Sequence, residues 1–414
     1  MTGAAPGPGQ QAGPEELLEL VVGEAAHGGW CVAREPAGRV VFVRHALPGE
    51  RVRARVTDTT ARFARAEAVE ILHASPDRVE PPCPHARPGG CGGCDWQHAG
   101  LAAQRRLKAD VVRYQLRRIA GLDAEVTVEP VAGDSGGLGW RTRVRYSVGP
   151  DGTAGLLKHR SHELVAVGDC PIAHPLVAAA GVTGQRWDGA GSVEVVVSPG
   201  TGEQAVIVTG AGGRRGRTVR GREHLRQLTG GPAGRSWRVS AGTFWQVHPG
   251  AAELLTGAVL AALTPQPGEV ALDLYCGAGL FAGALAAAVG PSGTVIGVES
   301  DRAAARDARH NLRAFPWARV HCADAATVLA MTGLPAAGLA VLDPPRTGAA
   351  RPVIERLLGR GGLRRIAYVS CDPATLARDI AVCARSGWQL AGLRAFDTFP
   401  MTHHVECVAT LAPG

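Results

Sequence analysis

Lysine is nearly missing from this 414-residue chain: Lys108 and Lys158 are the only two, and the rest of its 44 basic groups are arginines. Alanine and glycine are abundant alongside, so the arginine excess reads as codon bias rather than a demand for guanidinium. No run of about 18 apolar residues occurs, so no membrane-spanning helix and no membrane partner are expected. The opening MTGAAPGPGQQAGPEE lacks the basic-then-apolar order of a secretory leader, which points to the cytoplasm. Ten cysteines without such a leader suit metal or thiol chemistry better than a disulfide scaffold. A single small module is excluded by length. The net charge of +7 is uneven, +6 over residues 1–239 and +1 over the remainder. This suggests a polyanion-binding part joined to a part with another task.

Residues 1–14 are Gly, Pro, Ala and Gln without periodicity and read as a disordered tail. Residues 15–74 hold short alternating runs punctuated by Gly28-Gly29, Pro36-Ala37-Gly38 and Pro48-Gly49, the pattern of a small barrel of four or five strands. Arginines alternate with valines along RVRARV, which makes one strand face basic, either a solvated face or a nucleic-acid surface. Residues 75–240 form a central, mainly β domain. It opens on a Cys- and Pro-rich stretch and the helix LAAQRRLKADVVRYQLRRIAG, in which Leu107, Val111 and Leu116 recur at helical spacing against an Arg-rich face. Strands follow near 141–147, 163–167, 192–198 and 204–209, with the Gly/Arg cluster at 211–222 as a loop. From 241 to 414 strands and helices alternate, which predicts a doubly wound, mainly parallel α/β sheet.

In such a sheet ligands bind beyond the carboxyl ends of the strands. Asp273-Leu-Tyr-Cys-Gly-Ala-Gly279 follows the first strand, and no Lys-Ser/Thr completes a phosphate loop. Glu299 ends the second strand at the distance where a carboxylate accepts from a ribose diol. Asp324 after the third strand and Asp343-Pro-Pro after the fourth favour S-adenosylmethionine over a dinucleotide, whose longer glycine motif is absent. The strand RIAYVS ends at Cys371, where the following helix N-terminus is expected to favour the thiolate. Glu406 interrupts the apolar alternation of HHVECVATL as either an exposed position or a placed base.

These segments, with Tyr368-Val-Ser-Cys371-Asp-Pro, Asp397-Thr-Phe-Pro-Met-Thr-His-His-Val-Glu406 and Gly242-Thr-Phe-Trp-Gln-Val247, resemble the RNA uracil-5-methyltransferase family over nearly the whole chain. The barrel with its ALPGE turn is similar to a TRAM domain, and the C-terminal sheet to the Rossmann-like class I methyltransferase fold. The resemblance implies methylation of carbon 5 of a uridine in structured RNA, ribosomal before transfer RNA, and the protein is expected to be a monomer. Cys371 would be the nucleophile, Glu406 the base, and Gln246, Tyr275, Glu299, Asp343 and Asp324 the S-adenosylmethionine contacts. Competing readings are an RNA cytosine-5 methyltransferase, which uses the same thiol addition, and an RNA-binding protein without catalysis.

Cys83, Cys91, Cys94 and Cys170 offer four soft ligands, suited to tetrahedral zinc or an iron–sulfur cluster. The resemblance to the iron–sulfur 23S ribosomal RNA enzymes implies a 4Fe-4S cluster, although the first gap is longer than usual there. Cys31, Cys276, Cys322, Cys383 and Cys407 are assigned to packing. For RNA contact, Arg141, Arg143 and Arg145 share a strand face, Lys158 and Arg160 stand nearby, and Trp140 and Tyr146 are candidates to stack on bases.

Overall fold

A computed structural model describes residues 17–134, 136–213, 216–230 and 234–414; the tail expected over 1–14 lies outside the described residues. Strands β1 (Leu17–Ala26), β2 (Trp30–Arg34), β3 (Val40–Arg44), β4 (Arg51–Thr59) and β5 (Phe63–His73) close a barrel in the order β1-β2-β3-β5-β4. The alternation in RVRARV sets its interior: Val52 and Ala54 are buried, while Arg51 and Arg53 point outward and pair with Glu19 and Glu70. That face is therefore largely charge-balanced.

Helix α1 (Leu101–Gln115) runs into a π-helical turn (Leu116–Ala120), followed by β6 (Val128–Glu129). This stretch, read from sequence with the central domain, packs on the C-terminal sheet instead. Ala109, Val112 and Leu116 join one apolar cluster with residues of that sheet, and β6 pairs with its edge. The central domain proper is a six-stranded antiparallel sheet, β12-β11-β10-β7-β8-β9. Its strands are β7 (Arg143–Val148), β8 (Ala154–Leu157), β9 (Leu164–Val165), β10 (Ala190–Ser198), β11 (Glu203–Gly210) and β12 (Arg217–Gly221), with the short helix α2 (Pro175–Ala178) after β9. The expected loop at 211–222 is thus corrected at its C-terminal half, where Arg217–Gly221 adds to the sheet edge by pairing with β11. A hairpin, β13 (His224–Thr229) and β14 (Arg235–Ser240), follows.

The C-terminal part comprises α3 (Ala251–Leu263), β15 (Val270–Leu274), α4 (Leu280–Val289), β16 (Thr294–Glu299), α5 (Arg302–Asn311), β17 (Ala318–Cys322), α6 (Ala325–Leu329), β18 (Leu339–Leu342), α7 (Arg351–Gly359), β19 (Arg365–Ser370), α8 (Pro373–Arg385), β20 (Trp388–Phe396) and β21 (Glu406–Pro413). Its eight-stranded sheet has the order β17-β16-β15-β18-β19-β21-β20-β6, parallel from β17 to β19. The central strands are apolar on both faces because helices cover both, α3 and α4 on one side and α1, α6, α7 and α8 on the other. The order reverses at β15, and chain crossovers diverge there to leave a crevice at the carboxyl ends.

Candidate active site

The crevice is a cleft of about 900 Å³. Gln246, Tyr275, Glu299, Asp343, Cys371 and Glu406 all line it, although they come from six separate segments. Asp324 does not: its carboxylate caps α6, accepting from Thr327 N at 2.9 Å and from the Thr327 hydroxyl. It stays near enough to Tyr275 for its charge to raise the phenol's pKa, after the larger effects of burial and of the Asp379 charge.

The backbone after β15 is shaped for close approach. Tyr275 sits at φ +68°, a conformation that costs a non-glycine residue on the order of 1–3 kcal/mol. Its hydroxyl donates to Ala349 O at 3.1 Å. The Glu299 carboxylate accepts from Gly277 N at 2.9 Å and Asp301 N at 2.7 Å, which fixes it on the cleft wall with lone pairs to spare. Buried Asp273 accepts from Ala282 N at 2.6 Å and so pins the glycine turn to the start of α4.

Cys371 directly follows β19, and Asp372 caps α8 by accepting from Ala374 N and Thr375 N at 3.0 and 2.9 Å. The expectation that the helix N-terminus favours the thiolate is corrected. Burial, then the charge of Glu406, pushes the Cys371 thiol up to about 12, against a partial offset from Arg346. Glu406, at the start of β21, is raised well above the ordinary carboxylate range by burial and then by Asp343, again offset by Arg346. Burial likewise lifts Asp343 to about 7. Cys371, Glu406 and Asp343 therefore share one low-dielectric pocket, with Arg346 as the cation beside them. Arg346 Nη2 donates to His404 Nε2 at 3.1 Å; burial, then His403 and Arg346, holds His404 down to about 3, as befits a neutral acceptor. Arg346, His404 and Phe244 were not singled out from sequence. Arg346 directly follows the Asp343-Pro-Pro run, and Phe244, 61 % exposed at the cleft, lies two residues before Gln246.

Cys83, Cys91, Cys94 and Cys170 line one small cavity and form no disulfides. Burial, and secondarily the other thiols, raise the pKa values of Cys91 and Cys94. The donor set suits a soft metal, yet among the described residues no three or more His, Cys, Asp or Glu side chains are grouped as a metal's ligand set. The base-stacking role considered for Tyr146 is corrected: period-two alternation along β7 turns it into the central core, away from the arginine face, whereas Trp140, before β7, packs on His248 and lines the cleft wall while 4 % exposed. Arg143 is also committed, to Glu194 at 2.9 Å and Ala241 O at 2.7 Å. Lys158 pairs with Glu163, and Arg145 and Arg160 remain exposed. Cys322 is exposed at the end of edge strand β17, so packing does not account for it.

A Rossmann-like sheet with Glu299 and Asp343 at its carboxyl edge defines a class I S-adenosylmethionine-dependent methyltransferase. Known proteins narrow this. Residues 16–69 match the TRAM domain family and residues 336–413 the tRNA (Uracil-5-)-methyltransferase family. Residues 248–330 match the protein-L-isoaspartate(D-aspartate) O-methyltransferase family. An uncharacterized RNA methyltransferase of Streptomyces avermitilis is 49 % identical over 96 % of this chain and 99 % of its own. Another, from Bifidobacterium longum, is 35 % identical over 96 % and 98 %. The fold is that of the Pyrococcus abyssi tRNA (uracil-54, C5)-methyltransferase solved with S-adenosyl-L-homocysteine: TM-score 0.69 and 22 % identity, covering 95 % of this chain and 99 % of that one. The chain belongs to the RNA uracil-5-methyltransferase family, and its enzymatic class is RNA (uracil-5-)-methyltransferase. Among the described residues no helix is long and apolar enough to cross a membrane.

Proposed function

We propose that the protein, a cytoplasmic monomer, methylates carbon 5 of one uridine in structured RNA through a covalent adduct with Cys371. The observation that carries this reading is the convergence of Cys371, Glu406 and Arg346 on one cleft with Asp343, Glu299 and Gln246. Carbon 5 of a neutral uracil is too weak a nucleophile to take a methyl group directly. Cys371 gives up its proton to solvent beside the Arg346 cation, the thiolate adds to carbon 6, and the electrons of the 5,6 double bond move into an enolate. Carbon 5 then attacks the donor methyl group, and the carbon–sulfur bond of the sulfonium breaks to leave S-adenosylhomocysteine. Glu406 removes the carbon 5 proton, the double bond re-forms and Cys371 leaves. The sulfonium's fixed positive charge favours the ionised forms of Asp343 and Glu406, which gives the base its working state only once the donor is seated. The cleft admits a base only when it is unstacked, so a flipped or looped uridine is the substrate.

Ribosomal RNA is preferred here because the four cysteines resemble those of the ribosomal enzymes. The alternative of transfer RNA draws on the names of the matching family and of the Pyrococcus structure. Under the same reading Cys83, Cys91, Cys94 and Cys170 hold a 4Fe-4S cluster, or else zinc, which staples the central sheet and takes no part in methyl transfer. The supporting feature is that all four thiols line one cavity. RNA carrying 5-fluorouridine, which has no removable proton at carbon 5, tests the mechanism. It should trap a covalent complex that Cys371→Ala cannot form; an adduct with the alanine variant would refute it. Mapping 5-methyluridine in ribosomal and transfer RNA from a deletion strain identifies the substrate.

A further inference from the structure

The barrel touches the segment that follows the nucleophile and the segment that leads into Glu406. The turn between β1 and β2 is His27-Gly28-Gly29, with the glycines at φ +89° and +79°. His27 Nε2 lies 3.2 Å from Asp372 Oδ2. Asp372 follows Cys371, and its other oxygen, Oδ1, caps α8. One carboxylate thus fixes the helix start with one oxygen and meets the barrel with the other. Burial pushes the Asp372 carboxyl up, but the bond from His27 and those from the helix outweigh it and bring the group down to about 2.

Gly29 makes the second contact. A Cβ there would stand 2.6 Å from Asp95 Cβ and Cγ, so the turn fits only without a side chain. Asp95 in turn holds His403, with Oδ2 at 2.6 Å from Nδ1 and 3.1 Å from the backbone N, and meets buried Arg44 of the barrel at 3.4 Å. The His403 ring lies edge-on to His27 and 4.0 Å from the ring of His404, the partner of Arg346. The hairpin tip therefore seats against the segment after Cys371 and the segment before Glu406.

We propose that His27 is a positioning residue for the nucleophile: by holding Asp372 it sets the approach of the Cys371 sulfur to carbon 6. The barrel then contributes to the chemical step and not only to RNA capture. A sulfur displaced by about 1 Å loses on the order of 100-fold in rate, so a small rotation of the 371–373 turn is enough to matter. This rests on the assignment of Cys371 as nucleophile.

The test uses the full chain as His27→Ala, His27→Gln, which keeps a side-chain N–H donor, and Gly29→Ala. Ribosomal and transfer RNA transcribed with 5-fluorouridine are the probes. At saturating RNA, His27→Ala and Gly29→Ala should slow adduct formation roughly tenfold or more, leave RNA Kd close to that of the wild type, and alter the rate at which iodoacetamide alkylates Cys371 without RNA. His27→Gln should recover most of the adduct rate. An unchanged adduct rate for His27→Ala at saturating RNA overturns the proposal, as does a loss confined to RNA affinity. If the wild type forms no adduct, the assignment of Cys371 fails instead, and the His27–Asp372 bridge is judged on alkylation alone: equal rates in wild type and His27→Ala sink it.

Discussion

Lys108 Nζ donates to Asp397 Oδ1 at 2.5 Å with both side chains out of solvent, and donates again to Phe399 O at 3.0 Å. One of the two lysines in the chain thus anchors α1 to the segment that leads into Glu406. Burial lowers the Lys108 pKa and the Asp397 charge opposes this. Lys108→Met leaves the Asp397 carboxylate with only Arg105 at 4.0 Å. Removing one partner of a buried pair costs about 3–5 kcal/mol, whereas Lys108→Met with Asp397→Asn should recover much of that. The denaturant midpoint of the C-terminal transition reads both; a single variant as stable as the wild type would show that the pair does not anchor the helix.

Asp343 gives a pH dependence of defined sign. Its folded pKa of about 7 lies above the ordinary value of 3.8, so the folded protein binds this proton more tightly than the unfolded chain. Stability is then lost as pH rises from about 4 to about 7 and levels off above. Asp343→Asn removes the titration, so its thermal midpoint should gain on the wild type across that interval. A pH-independent difference would contradict the assignment.

Glu406→Gln keeps the shape of the base but cannot take the carbon 5 proton. Turnover should fall by about 100-fold or more while the adduct with unmodified RNA accumulates. The measurement is the covalent complex on denaturing gels beside methyl transfer from labelled donor. Normal turnover would exclude Glu406 from the role.

The four-cysteine cavity makes a compositional prediction. Protein purified without oxygen should carry about four irons per chain if the cluster is 4Fe-4S, and about one zinc if the site is tetrahedral. Cys94→Ser should lower metal content and the thermal midpoint together. A protein free of both metals with four titratable thiols would show the cavity to be unligated.

The cleft residues were legible where the chemistry is local to a strand end: Asp343, Cys371 and Glu406 each stand where a parallel or returning strand meets the crevice, and the β/α rhythm announces those points. What escaped depends on partners distant in sequence. Lys108 looks like one more charge on an arginine face until Asp397 arrives from 289 residues away. Tyr146 looks available for stacking until the sheet decides which face is inside. His27 sits in an ordinary hairpin turn, and nothing in its neighbourhood announces Asp372. The thiol at Cys371 shows the same limit in energetic form, because helix position is local whereas burial against Glu406 is not.

Strand β6 also sets an order of events during synthesis. Glu129 pairs with Arg394 across 265 residues, and α1 packs on α8 from an equally early position. When the ribosome has delivered the barrel and central sheet, α1 still exposes an apolar stripe and β6 has no neighbour. Both wait until almost the last strands emerge. The barrel and central sheet can form early, but the barrel's contact with the 371–373 turn comes late, which leaves the unsheathed α1 open to chaperones or proteases in a truncated chain.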